Sequence, residues 1–343
     1  VTLPFGTATG LGPWPGTDEH EAARTIVGEL GEFPHLAELP ARGLGADAVG
    51  RAAAMLVDLP VDVSTTGYRL ADRPGTVLRT ARAHLARDLD AAEEACERAG
   101  VRGAGTPFKL QVCGPVTAAA RLELRSGRRV LTDRGAVRDL TDSLAEGVRE
   151  HVGAVRRRFG VQPVLQLDED DLGAALDGAL PGRTRYDPVR ALPEPEARAM
   201  LGTVIEAAGG VPVILGGPRM PAATGLARGA GAAAITMTLH SAGSVREPAI
   251  LDGLGEWLDS GRGILLGLAP AGRPEGPTPD WHAVARPAVR LVDELGFARG
   301  TLARQTIVTT ESGLADADPD RARAAVSLAC RIAAGFAGDP DSL

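Results

Sequence analysis

Val161-Gln162-Pro163-Val164-Leu165-Gln166-Leu167-Asp168-Glu169-Asp170-Asp171 is the stretch on which the fold turns. A short apolar run follows Gly160 and ends in four consecutive carboxylates, as a buried strand of a parallel sheet does where it opens into a loop. Just upstream, Val137, Leu140, Leu144, Val148, Val152 and Val155 recur every three or four residues between Asp133 and Arg158. That spacing predicts a helix with one apolar stripe, stopped by Gly160. Downstream, Val211-Pro212-Val213-Ile214-Leu215-Gly216 repeats the strand pattern.

Extended in both directions, the same reading gives strands near 5–11, 35–39, 107–113, 162–168, 211–216, 232–239, 262–269 and 305–310. Eight strands separated by helices within 343 residues predict a closed (β/α)8 TIM barrel, one domain over 1–343. An open doubly wound sheet is the runner-up, but no strand–turn–helix carries GxGxxG. Segment 41–106 is longer than one helix needs and is expected to hold a helical elaboration of two or three helices. Asp18 with Glu21 marks a capped helix start, and Asp318-Pro319 opens the last helix. Residues 270–282 form a proline-rich loop.

Composition narrows the partners. Hydrophobic residues make up 44%, the net charge is −7 with mixed signs, and aromatics are 3%, so neither a nucleic acid nor an anionic membrane is an expected partner. No apolar run reaches the roughly 20 residues of a membrane span, and the N-terminus does not read as a signal peptide. Three scattered cysteines suggest a reducing compartment, and the cytoplasm is the expected location. A homo-oligomer or a protein partner is left open.

Barrel sites lie at the C-terminal ends of the strands, so those ends hold the candidates. Four adjacent carboxylates cannot all be buried and charged. Either one or two of them, Asp168 and Glu169 foremost, face the mouth, or the run merely caps the next helix. Glu38 and Asp168 together could hold a substrate ammonium through charge-assisted hydrogen bonds. His240, after the sixth strand, is a candidate general base, with a structural histidine as the alternative. Arg42, Arg121, Arg219 and Arg273 follow strands and could meet an anionic substrate or simply be solvated. Cys113 is either a nucleophile or a small buried side chain.

Five stretches, in order, carry a family resemblance: Thr9-Gly10-Leu11-Gly12-Pro13-Trp14-Pro15, His35-Leu36-Ala37-Glu38, Gly114-Pro115-Val116-Thr117, Gln166-Leu167-Asp168-Glu169 and Thr310-Glu311-Ser312-Gly313-Leu314. Together they resemble the catalytic barrel of cobalamin-independent methionine synthase. The resemblance implies a barrel shared with uroporphyrinogen decarboxylase, methyl transfer from a folate to a thiol, and an amino-acid substrate bound by Glu38 and Asp168; Glu169 and Ser312, within the matching stretches, and Arg121 and Arg219, by their places after strands, are further candidate substrate contacts. It also implies zinc, yet the ligand positions fall on Ile214-Leu215-Gly216, Thr238 and Ser312, so zinc is not expected. Pro13 replaces a serine and Arg121 a tryptophan that would face the pterin, so the folate platform is not expected to survive. Three functions stay open: a zinc-free methyl- or alkyl-transferase-like enzyme, a metal-free decarboxylase-like barrel enzyme, and a non-catalytic ligand-binding or partner subunit.

Overall fold

The computed structural model describes residues 2–184, 188–239, 247–272 and 280–338. Two short strands, β1 (Val61–Val63) and β2 (Tyr68–Leu70), form an antiparallel hairpin. Six more form one parallel sheet in chain order: β3 (Pro107–Cys113), β4 (Gln162–Asp168), β5 (Val213–Gly216), β6 (Ala234–Thr238), β7 (Gly263–Ala269) and β8 (Thr306–Thr310). Helices connect them, which is what parallel neighbours require. The helix before β4, Arg134–Phe159, starts where Asp133 Oδ1 accepts from the Ala136 amide at 3.0 Å. It ends at Gly160, whose φ of 64° is the left-handed conformation that glycine adopts without penalty.

Eight strands were expected, and the described residues give a six-stranded curled parallel sheet. The two N-terminal segments, 5–11 and 35–39, are extended but irregular. Ala8 bridges Val308, Pro13 bridges Glu38, and His35 bridges Lys109, each as an isolated parallel pair. The reason lies in their residues. Pro13, Pro34 and Pro40 have no N–H to give, and the glycines at 6, 10 and 12 weaken extended pairing. The pairing that remains is short: Thr9 N to Val308 O at 3.0 Å, Leu36 N to Lys109 O at 2.9 Å, and Glu38 N to Gly12 O at 3.1 Å.

Side chains alternate across the sheet. The outward set packs on the helices in the main core. The inward set begins with an apolar plug of Leu3, Phe33, Val164, Ile214, Ala234, Leu265 and Ile307. Two residues further along, the inward positions are polar on β4, β6 and β8 (Gln166, Thr236 and Thr309) and glycine on β5 and β7 (Gly216 and Gly267), while on β3 the inward pair Lys109 and Gln111 is polar throughout. The chain thus closes one end with hydrocarbon and leaves the other for chemistry.

Segment 41–106 holds two α-helices, Ala48–Met55 and Thr76–Arg98, and the β1–β2 hairpin that periodicity alone did not reveal. Its hairpin is tied by Tyr68, whose hydroxyl reaches Asp47 and accepts from the Gly45 amide at 2.7 Å. Among the described residues no helix is long and apolar enough to cross a membrane.

Candidate functional site

A cavity of about 500 Å³ opens at the C-terminal ends of the strands. Glu38 and Asp168 both line it, brought from distant parts of the chain by two features of the backbone. Glu38 is fixed through its own peptide, whose N–H bonds Gly12 and whose carbonyl accepts from Trp14 at 2.8 Å. Asp168 ends β4 in register with Cys113 on one side and Gly216 on the other. A Cβ at Gly216 would collide with Asp168 Oδ1, so the missing side chain there is what lets the carboxylate lie across β5.

Below these acids lies a lysine that strand periodicity did not single out. Lys109 is 0% exposed on the inward face of β3. Its ammonium donates to Gln166 Oε1 at 2.8 Å, and Gln166 Nε2 donates to Asp168 Oδ1 at 2.8 Å. One amide therefore links cation to carboxylate. Burial pulls the Lys109 ammonium below its ordinary pKa, while Asp168 and Glu38 pull it back up. Burial pushes Asp168 upward, Glu38 adds to the push, and Lys109 and the Gln166 bond oppose it. Glu38 is also raised by burial and restrained by Arg51 and Lys109. Both acids are thus poised to gain from a ligand cation.

Glu38 connects to a second buried chain of charges. Arg51, 3% exposed, brings Nε to 3.6 Å from Glu38 Oε1 and its Nη1 onto Asp88. Asp88, 2% exposed, also receives Arg42 Nη2 at 2.7 Å, and Arg42 lies 3.6 Å from Glu19. Arg51 and Asp88 come from the two helices of the 41–106 elaboration. In the helix Thr76–Arg98, Asp88 occupies the stripe of Leu78, Ala81, His84, Ala92 and Ala95. A charge at an apolar-stripe position was the signal that could have found it.

The other expected site residues are dispersed. Glu169 is buried with both oxygens occupied: it accepts from Val116 N at 2.9 Å, Thr117 N at 2.7 Å and Thr117 Oγ1 at 2.7 Å. It pins the Gly114–Thr117 turn and does not line the cavity, because the residue after Asp168 in a strand points the other way. Arg219 pairs with Asp177 at 3.3 Å on the surface, outside the cavity. Ser312 does line the cavity. His240 and Arg273 lie outside the described residues. Burial raises the Cys113 thiol well above its usual value, with Glu169 adding to the effect, so it stays protonated rather than nucleophilic.

Arg121 borders a second cavity of about 510 Å³ beside the mouth. It pairs with Asp171 at 2.6 Å and with Asp170 at 3.6 Å, and Asp170 also lines the mouth. Arg69, Arg125, Arg128, Arg129 and Arg183 share that cavity. Arg129 donates to Pro181 O and Arg183 to Ser126 O, each at 2.9 Å. These carbonyl partners leave the Arg129 and Arg183 charges uncancelled, whereas Arg125 is paired with Asp72 and Glu123 also lines the cavity, so its charge is mixed.

At the positions where the resemblance places zinc ligands, Gly216 offers no side chain and the Thr238 hydroxyl donates to Glu311 O at 3.1 Å. Ser312 offers only a hydroxyl. Two hydroxyls and a glycine do not fit a zinc centre, which takes thiolate, imidazole or carboxylate. Among the described residues no three His, Cys, Asp or Glu side chains are grouped to hold a metal ion.

A curled parallel sheet of six strands with helices between them, and a cavity at its C-terminal end lined by two acids, defines an α/β protein of half-barrel form. Comparison gives the family. Residues 5–335 match the cobalamin-independent synthase catalytic domain, and the chain belongs to that family. A B12-independent methionine synthase from Shewanella sp. W3-18-1, solved in complex with selenomethionine, superposes with a TM-score of 0.60 at 11% identity, covering 100% of both chains. The β-mannanase AaManA from Alicyclobacillus acidocaldarius gives a TM-score of 0.44 at 10% identity over 97% of this chain and 98% of its own. At 11% identity the likeness to the synthase is one of fold. No curated protein sequence matches this chain.

Proposed function

We propose that this chain is a methionine-synthase-like transferase that binds an amino-bearing small molecule at the mouth and works without the family's zinc. The observation that carries the reading is the meeting of Glu38 and Asp168 in one cavity, each raised by burial and each backed by a buried cation. An ammonium between them would supply the charge that burial denies them. In this reading the two bridged N-terminal segments close the six strands into a functional eight-segment barrel.

Methyl transfer to a thiol needs a thiolate, and a free thiol with a pKa of roughly 8.5 is little ionised at neutral pH. Without a metal the proton must go to a base. Asp168, raised by burial, and His240, which follows β6 in sequence, are the proposed acceptors. The decarboxylase-like alternative loses support from Arg219, which is engaged by Asp177.

The test is titration calorimetry with a panel of amino acids and simple amines, alongside elemental analysis of the untagged protein. Binding lost in Asp168→Asn and Glu38→Gln, in protein free of bound metal, is expected. Stoichiometric zinc would overturn the metal-free reading, and unchanged binding in both variants would overturn the mouth as the amine site.

A further inference from the structure

A fully buried lysine is rare enough to call for a cause. The ammonium of Lys109 reaches no farther than the Gln166 amide oxygen at 2.8 Å and the Leu11 carbonyl at 3.5 Å. Gln166 is 1% exposed and engaged at both ends. Its Nε2 donates to Leu11 O at 3.0 Å and to Asp168 Oδ1 at 2.8 Å, while its Oε1 accepts from Lys109. That arrangement has a fixed sense. An ammonium only donates, so the amide oxygen must face Lys109 and the amide N–H groups must face Leu11 and Asp168. Turned over, the amide would set donor against donor at the lysine and oxygen against oxygen at the carboxylate.

The far end of this chain is equally constrained. A Cβ at Gly216 would come within 2.3 Å of Asp168 Oδ1, so that oxygen is wedged between β5 and the Gln166 amide. The charges around Asp168 divide into two sets. Glu38 and Asp170 favour its protonated form, whereas the Lys109 charge and the Gln166 bond favour the carboxylate. Cys113, in register with Asp168 on β3, is held protonated by burial and brings no charge.

Resting on the reading that Asp168 is a working carboxylate of the mouth, we propose that Lys109 and Gln166 are its positioning residues. The lysine charge locks the sense of the Gln166 amide, and the amide holds Oδ1 as an acceptor over Gly216. Oδ2 is then the oxygen left to take a proton or a ligand N–H. Neither Lys109 nor Gln166 needs to touch the ligand for this.

The test is a carbon-13 NMR titration of the full chain, labelled at the aspartate side-chain carboxyls, from about pH 4 to about pH 9. The Asp168 signal is assigned by its loss in Asp168→Asn. Lys109→Met and Gln166→Leu should each raise its midpoint by about one pH unit or more, because each removes an interaction with the ionised form. The double variant should raise it by less than the sum, because the lysine acts through the amide. Gln111→Leu is the control. Gln111 is the next inward residue on β3 and bonds Leu36 O, so its loss should leave the midpoint in place. Should Lys109→Met fail to fold, Gln166→Leu against Gln111→Leu still decides. Midpoints unmoved in the single variants, or moved as far by Gln111→Leu, would overturn the positioning role. Additive shifts would overturn the route through the amide. Calorimetry with 1-aminobutane on the same samples separates this inference from the reading it rests on. Binding that is lost in Asp168→Asn, with midpoints unmoved, leaves the mouth reading standing and sinks the positioning role. Midpoints that move as expected, with no binding, uphold the positioning role and remove Asp168 as a holder of amines.

Discussion

Asp88→Ala tests whether the helical elaboration is part of the site or only a cover over it. Asp88 is the shared acceptor of Arg51 and Arg42, and all three side chains are buried. Removing it strips two guanidinium groups of their counter-charge inside the protein. Breaking one buried pair costs about 3–5 kcal/mol because the remaining charge has no water to turn to. Glu38 and Glu19, each 3.6 Å from one of the arginines, compensate only in part. Unfolding entropy near 2.1 cal/mol/K per residue over 343 residues amounts to about 0.7 kcal/mol/K. The loss therefore corresponds to a fall in Tm of about 4–7 °C. Calorimetric scans at low and high salt are the assay, and the fall should persist at high salt because buried pairs are poorly screened. Glu94→Ala, which breaks exposed pairs with Arg98 and His20, is the control and should move Tm by about 1 °C or less. A shift of Asp88→Ala no larger than the control would refute a buried network behind Glu38.

Two further outcomes follow from the same geometry. Burial holds the His151 imidazole down to about 4, with the Arg51 charge adding to the effect. Between pH about 6.5 and 4 the unfolded chain therefore takes up a proton that the folded one refuses. Stability present above pH 6.5 falls by about 3 kcal/mol as the pH drops to 4. His151→Gln should remove that part of the acid sensitivity, and parallel stability curves for the two proteins would contradict it. Gly216→Ala places a methyl against Asp168 Oδ1 and should abolish amine binding while leaving the far-ultraviolet circular dichroism unchanged. Retained affinity would mean that Asp168 does not hold the ligand from its present position.

Much of the fold was legible because strand and helix periods are written in the apolar residues. The runs at 107–113 and 162–168 coincide with β3 and β4, and the stripe from Val137 to Val155 is the inward face of the helix before β4. The N-terminal segments were harder to read. Their apolar content suggests strands, but Pro13 and Pro34 limit the ladder to isolated bridges. At the site, strand ends drew attention to Glu38 and Asp168, which do share a cavity. Glu169 drew the same attention only by adjacency, and its alternation to the far side makes it a brace for the Gly114–Thr117 turn. Lys109, Arg51 and Asp88 escaped notice because a charge in a helical or strand pattern reads as surface. Their burial depends on partners up to dozens of residues away, which no local period records.

The chain of charges from Glu38 through Arg51 to Asp88 also limits how this scaffold can be rebuilt. An engineer who trimmed residues 41–106 as a dispensable insertion would keep all six strands of the parallel sheet and still leave a mouth acid without its counterion. The smallest transplantable unit of this mouth is accordingly a set of strand ends together with two helices, of which one reaches the cavity only through Ala48 and the other does not line it. Sequence libraries aimed at new ligands would do better to hold positions 42, 51 and 88 constant and vary the other residues that line the cavity instead.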